Sequence, residues 1–71
     1  MSNKDMIGLI SDIRDQMVEK LKQHDKNAAE SDRVNNYVDY MTERTMAAYC
    51  RGQVQAYDTV LTMLRAGGYN E

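Results

Sequence analysis

Proline is absent from all 71 residues of the chain, and glycine occurs only at positions 8, 52, 67 and 68. These two residue types most often interrupt helices, so their scarcity favours long uninterrupted helices. The sequence therefore predicts an all-α protein with a single domain over residues 1–71. We expect a long helical hairpin, with helices over about 3–24 and 33–66, that assembles as a helical bundle.

The first helix is predicted to begin at Ser2, because Ser2 and Asp5 have the spacing of a capping box. Apolar side chains then recur at steps of three and four residues, as on one face of a helix. They are Met6, Ile10, Ile13, Met17 and Leu21, widened by Leu9 and Val18. Residues 25–32 contain no large apolar side chain, which predicts the connection, with Ser31 or Asp32 capping the next helix.

The second helix carries two apolar patterns. Its main pattern, called here the long stripe, has helical spacing throughout and consists of Val34, Val38, Met41, Thr45, Ala48, Gly52, Ala56, Val60 and Met63. A second edge near its end consists of Val54, Tyr57, Leu61 and Leu64. Arg65 followed by Gly67 and Gly68 predicts a left-handed C-cap, onto which Tyr69 folds back.

The predicted second helix is much longer than the first, so a simple hairpin leaves its end uncovered although that end is apolar on two sides. This favours a homo-oligomer, with a four-helix dimer as the simplest closed form. The alternative is a bend near 43–47 that folds one chain into three helices. The predicted oligomer interface consists of Ala48, Gly52, Ala56, Tyr57 and Leu61. The small residues of this set equally fit a tight crossing within one chain, and either arrangement predicts that Gly52→Leu disrupts packing.

Residue types that carry chemistry are scarce. Cys50 is the only cysteine and His24 the only histidine, which excludes an internal disulfide and a zinc site of several Cys and His ligands. Leu21 stands where a Glu-x-x-His pair would need its glutamate, so no di-metal bundle site is expected. We predict a non-enzymatic protein without a cofactor or metal. His24 beside Asp25 fits a pH-sensitive pair or a solvated helix end.

The formal net charge is −2, with acidic and basic groups mixed along the chain, which argues against binding to duplex nucleic acid. No apolar run approaches the roughly 20 residues that span a bilayer. The polar N-terminus lacks a signal-peptide pattern, and a single cysteine fits a reducing compartment. We expect a cytoplasmic protein that does not bind membranes.

One polar pattern follows a helical face beside the long stripe. It consists of Arg33, Tyr37, Tyr40, Arg44 and Arg51. Arginine and tyrosine are enriched at binding hot spots, so this face is a candidate docking site for an acidic protein surface or a nucleotide-like ligand. Under the alternative, the tyrosines are half-buried and the arginines pair with Asp39, Glu43 or Asp32. The amides of Asn35 and Asn36 either contact a ligand or occupy the first turn of the helix.

The segment Tyr49–Leu64 has the pattern Tyr-x-x-Gly-x-x-x-Ala-Tyr-x-x-Val-Leu, which resembles the C-terminal helix of small bacteriophage-encoded accessory proteins. The resemblance implies a factor that binds and inhibits or modulates a host protein, such as a defence component, in the host cytoplasm. It assigns no site residues. We therefore expect a non-catalytic interaction protein. The alternative function is binding or sequestering a nucleotide-type signal in pockets at oligomer interfaces.

Overall fold

The computed structural model describes residues 2–67. It consists of two helices, α1 (Asn3–Arg33) and α2 (Tyr37–Ala66), with no strand in the described residues. They have 31 and 30 residues and lie antiparallel in a rod of 53 × 14 × 13 Å. The predicted all-α helical hairpin is confirmed.

The two helices contact each other along one line of side chains, called here the seam. All of its members are buried or half-buried: Ile7, Ile10, Arg14, Met17, Leu21, His24, Ala28 and Ser31 on α1, and Tyr40, Glu43, Ala47, Cys50, Val54, Tyr57, Leu61 and Leu64 on α2. Steps of three and four residues alternate throughout both sets. This is the heptad spacing of a left-handed coiled coil, in which slightly under-wound helices keep their facing sides together.

The start of α1 agrees with the predicted cap. Ser2 is the N-cap residue, and its side chain accepts a hydrogen bond from the Asp5 backbone N–H at 3.1 Å. This bond satisfies one of the donors that a helix N-terminus otherwise leaves unpaired. The carboxylate of Asp5 also lies in the first turn, where its negative charge interacts favourably with the positive end of the helix dipole.

The connection lies elsewhere than expected. Residues 25–32 belong to α1, which continues to Arg33 because no residue in this stretch breaks a helix and because Ala28 packs into the seam with 3% of its surface exposed. The chain reverses at residues 34–36, where Asn35 has a φ of 61°, a left-handed conformation that asparagine tolerates better than most residues. Neither Ser31 nor Asp32 caps α2.

Asn36 is the residue that caps α2. Its side-chain oxygen accepts a hydrogen bond from the Asp39 backbone N–H at 3.2 Å, and its side-chain nitrogen donates to the Asp39 carboxylate at 2.7 Å. The backbone N–H of Asn36 donates to the Ser31 carbonyl at 2.8 Å, which closes the turn onto the end of α1. Both asparagines therefore have structural roles in the turn.

Helices of nearly equal length leave no overhang, and α2 is continuous through residues 43–47. Within a single chain Leu61 is buried, and Val54 and Tyr57 are half-buried against α1. The prediction that a second copy must cover these residues is therefore wrong. The alternative, a bend near 43–47, is also excluded, because α2 is continuous there. The second apolar edge of α2 lies in the seam and packs against α1. All nine residues of the long stripe are exposed.

The end of α2 differs from the predicted cap. Arg65 lies in the last turn, as expected, but Gly67 has a φ of −64° and a ψ of −10°, which is a right-handed conformation. Its backbone N–H donates to the Met63 carbonyl at 2.9 Å, so the helical hydrogen-bond pattern continues to Gly67. The predicted roles of Gly68 and Tyr69 lie outside the described residues.

Candidate interaction surface

One side of the hairpin, called here the polar flank, is crossed by ion pairs between the helices. The Arg14 Nε donates to the Asp58 carboxylate at 2.7 Å, and an Arg51 amino group lies 3.5 Å from the Asp25 carboxylate. The polar flank consists of Asp25 and Asp32 on α1 and of Tyr37, Arg44, Arg51, Asp58 and Arg65 on α2. These positions recur one heptad apart, so both helices present charge on the same side.

The guanidinium groups of two arginines are held by neighbouring carboxylates. Hydrogen bonds to Asp58 and then to Asp15 raise the pKa of Arg14, and a forked contact with Glu30 raises the pKa of Arg33. Both groups are charged at physiological pH, as arginine is in proteins generally. Salt bridges of this exposure are screened by solvent and contribute little to the free energy of folding.

The structure separates the five residues of the predicted docking face. Arg33 belongs to α1 and pairs with Glu30 of its own helix. Tyr40 is half-buried in the seam, and Arg51 pairs with Asp25. None of the expected pairings with Asp39, Glu43 or Asp32 is formed in the described residues.

Two side chains of the predicted docking face are left open to solvent on the polar flank. Tyr37 is 72% exposed, and Arg44 is exposed and forms no ion pair within residues 2–67. They stand seven residues apart on one side of α2 and thus point in nearly the same direction.

The opposite side of the hairpin, called here the apolar flank, exposes large hydrophobic side chains from both helices. A hollow of about 480 Å³ on this side is lined by Lys20 of α1 and by Met46, Tyr49 and Gln53 of α2, among others. Further apolar residues follow on the same side of both helices, one and two heptads from the residues that line the hollow. The apolar flank consists of Met6, Leu9, Ile13 and Lys20 on α1 and of Met46, Tyr49, Gln53, Ala56, Val60 and Met63 on α2.

The residues of the predicted oligomer interface fall on different sides of α2. Ala48, Gly52 and Ala56 are exposed, and a Cβ atom built on Gly52 meets nothing within 4 Å. The predicted tight crossing within one chain at Gly52 is therefore wrong. Tyr57 and Leu61 lie in the seam, where α1 covers them, so they are not available to a second copy in this fold.

His24 has a contact that the sequence did not suggest. Its Nδ1 lies 2.6 Å from the Glu43 carboxylate across the seam, so it is neither a solvated helix end nor paired with Asp25. The heptad spacing of the sequence places both residues in the seam, but which residue faces His24 depends on the register between the helices. Cys50 is 3% exposed, and it lines the same hollow as His24.

A second hollow, of about 210 Å³, lies at the turn of the hairpin. It is lined by Ser31, Asp32, Asn35, Asn36, Tyr37 and Tyr40. Asp32 is the one charged side chain in this lining, and the amide of Asn36 is engaged with Asp39. Without a cation, this hollow offers little attraction to a phosphate group.

Residues 2–67 contain neither a metal-binding cluster nor a membrane-spanning helix. No group of three His, Cys, Asp or Glu residues suited to a metal ion occurs within residues 2–67. Neither helix, over its described length, contains a stretch apolar enough to cross a bilayer. Comparison with protein-family models, with curated proteins and with solved structures found no match for this chain.

Proposed function

We propose that this chain is a non-catalytic interaction protein that binds a larger protein through the turn-proximal half of its polar flank, with Arg44 as the central contact and Tyr37 beside it. The observation that carries the proposal is the state of Arg44. Its guanidinium is exposed and without an ion pair in the part of the chain that the structure describes, whereas Arg51 on the same flank has Asp25.

The chemistry of this pair of side chains suits a carboxylate-bearing surface. A guanidinium presents a planar fork of donors that matches a carboxylate in a bidentate geometry. Tyr37 adds flat contact area with a polar tip, at a small cost in side-chain entropy. A partner with an acidic patch would pair with Arg44 without having to break an existing salt bridge.

For the class of partner, we propose a host-cell protein that the chain inhibits or modulates, such as a defence component. This step is supported by the resemblance of Tyr49–Leu64 to the C-terminal helix of small phage accessory proteins. The proposed place of action is the host cytoplasm.

The experiment is affinity capture from a host lysate with the tagged protein, comparing Arg44→Glu with a matched charge reversal. Lys26→Glu changes the charge by the same amount, at an exposed position of α1 that forms no ion pair within residues 2–67. We expect the unmodified protein and Lys26→Glu to retain the same partner, and Arg44→Glu to lose it. Equal retention by all three proteins would show that Arg44 is not the contact.

A second candidate function is supported by the hollow on the apolar flank. Its lining combines a cation at Lys20 with the ring of Tyr49 and the amide of Gln53, which are groups that contact a nucleotide-type ligand. A neighbouring copy placed over this hollow would enclose it as a pocket at an oligomer interface. A ligand present at 100 times its Kd would stabilise the fold by about 2.7 kcal/mol. A thermal-shift panel of nucleotides tests this function, and a flat response to all of them would rule it out.

A further inference from the structure

The apolar flank exposes six large hydrophobic side chains. Leu9 is 50% exposed, Tyr49 62% and Met63 66%, and Met6, Met46 and Val60 are exposed beside them. Single exposed hydrophobic residues are ordinary, but contiguous patches mark interaction sites. These six residues share one side of the molecule and come from both helices.

Polar groups on the apolar flank are few and partly satisfied. The Gln53 side-chain nitrogen donates to the Tyr49 hydroxyl at 3.2 Å, so the two polar tips are satisfied by each other within α2. Lys20 is the one charged residue of the flank, and its long aliphatic stem lets the ammonium reach solvent at the edge of a contact. Depletion of charge is the compositional mark of the buried centre of an interface.

The hairpin buries little within itself. The buried hydrophobic residues in the described part are Ala28, Ala47, Cys50 and Leu61, and three of them have small side chains. Chains of this size are marginally stable even with a well-filled core. An occupant of the apolar flank that is present whenever the chain folds would add the buried surface that the hairpin lacks. A second copy of the chain meets this requirement, because it is made at the same time and at the same concentration.

The dimensions of the hairpin suit this occupant. A side face of 53 × 14 Å has an area of about 740 Å², so two copies that meet along the whole face would bury on the order of 1,500 Å² in total. The apolar flank spans residues 6–20 and 46–63, about half of the length of the face, so about half of this buried area would belong to the apolar flank. Stable protein interfaces typically bury about 1,200–2,000 Å². The contact of one hairpin with another is thus large enough for a lasting dimer.

We infer that a second copy of this chain covers the apolar flank and that the two hairpins form a four-helix bundle, in which each hairpin supplies the same face to the other. The inference deepens the proposed interaction function, since it names one partner of the molecule. The dimer buries the apolar flanks in its centre and leaves both polar flanks outside, available to the larger protein.

The experiment measures the mass of the protein in solution by light scattering and sedimentation equilibrium. We expect twice the chain mass of 8.2 kDa for the unmodified protein. Leu9→Glu and Met63→Glu each place a charge on the apolar flank, and each is expected to raise the dimer Kd by about 30-fold or more. The matched control is Val38→Glu, on the outer face of α2, where the side chain is 73% exposed.

The control is expected to remain dimeric, as is Arg44→Glu, which tests the larger-partner proposal separately. A monomeric mass for the unmodified protein at all concentrations would overturn the inference while leaving the role of Arg44 standing. Equal dissociation by Val38→Glu and Met63→Glu would also overturn it, because the contact would then not be centred on the apolar flank. The mass of the unmodified protein decides the question even where a variant fails to fold.

Discussion

The two apolar patterns of α2 have opposite fates in the structure. The second edge, from Val54 to Leu64, lies in the seam and is covered by α1, whereas all nine residues of the long stripe face solvent. The seam alternates steps of three and four residues throughout, whereas the long stripe takes three consecutive steps of four between Ala48 and Val60. The long stripe therefore drifts around the helix, and its last three residues lie on the apolar flank. Two long helices stay in contact only along a pattern near 3.5 residues per turn. The comparison teaches that spacing, and not the amount of apolar surface, selects which face pairs within the chain.

The largest expected effect comes from the covered pattern. Leu61→Ala removes a side chain that is 4% exposed and should lower the free energy of unfolding by about 2–5 kcal/mol. Val38→Ala on the long stripe removes apolar atoms from an exposed site and should change the stability by no more than about 0.5 kcal/mol. Denaturant unfolding measures both, and a similar loss for the two variants would contradict the assignment of the seam.

Adjacent alanines offer a sharper form of the same comparison. Ala47 is 1% exposed in the seam, so Ala47→Leu should overpack it and cost about 1–3 kcal/mol. Ala48 is its neighbour on the long stripe and is exposed, so Ala48→Leu should be nearly neutral. A large loss of stability or of dimer for Ala48→Leu would move the intersubunit contact from the apolar flank to the outer face of α2.

Gly52 lies on the long stripe as well, and a substitution there is expected to increase the stability. It lies in the interior of α2 with open space where a Cβ atom would stand, so Gly52→Ala should raise the free energy of unfolding by about 1 kcal/mol through helix propensity alone. Gly52→Leu should leave the mass of the protein in solution unchanged. If the Gly52→Leu protein dissociates into monomers, the result would support the intersubunit contact between small residues that the sequence predicts.

The smallest expected effect concerns the polar flank. Asp58→Asn removes the charged partner of Arg14, and 36% of the Arg14 side chain and 49% of the Asp58 side chain are exposed. Because water screens a pair of this exposure, the change in unfolding midpoint should be smaller than for Leu61→Ala, Ala47→Leu and Gly52→Ala. The effect should shrink further with added salt, since salt screens exposed charges. Unfolding midpoints at low and high ionic strength provide the measurement. A salt-independent loss as large as that of Leu61→Ala would show that this flank is part of the core.

The sequence predicts the hairpin and the cap at Ser2 correctly, because both rest on local chemistry. It fails at residues 25–32, where a polar composition resembles a loop but contains no helix breaker. Two signals in the sequence indicate the turn at Asn35 and Asn36. Asn35 tolerates a left-handed backbone, and Asn36 and Asp39 have the spacing of an Asn-x-x-Asp cap. Without a glycine or proline to mark it, the turn gives a weak signal.

The docking face was only partly predictable, for a related reason. Arg33 and Arg44 share a helical face only if the second helix starts before Val34. The turn at residues 34–36 assigns Arg33 to α1 instead. The partners of Arg51 and His24 are Asp25 and Glu43, and these pairs depend on the register between the helices. Register is set by packing along the whole seam, and the sequence of one helix does not contain it.

The proposed four-helix bundle requires that a second copy covers the apolar flank, and the unfolding of the unmodified protein at different concentrations tests this most directly. If folding and dimerisation are coupled, the apparent free energy of unfolding should rise by about 1.4 kcal/mol for each tenfold increase in protein concentration. Thermal or denaturant unfolding over about a 1,000-fold range would reveal this dependence. An unfolding midpoint that stays the same across that range would contradict the account, because the hairpin would then be stable with its apolar flank exposed to water.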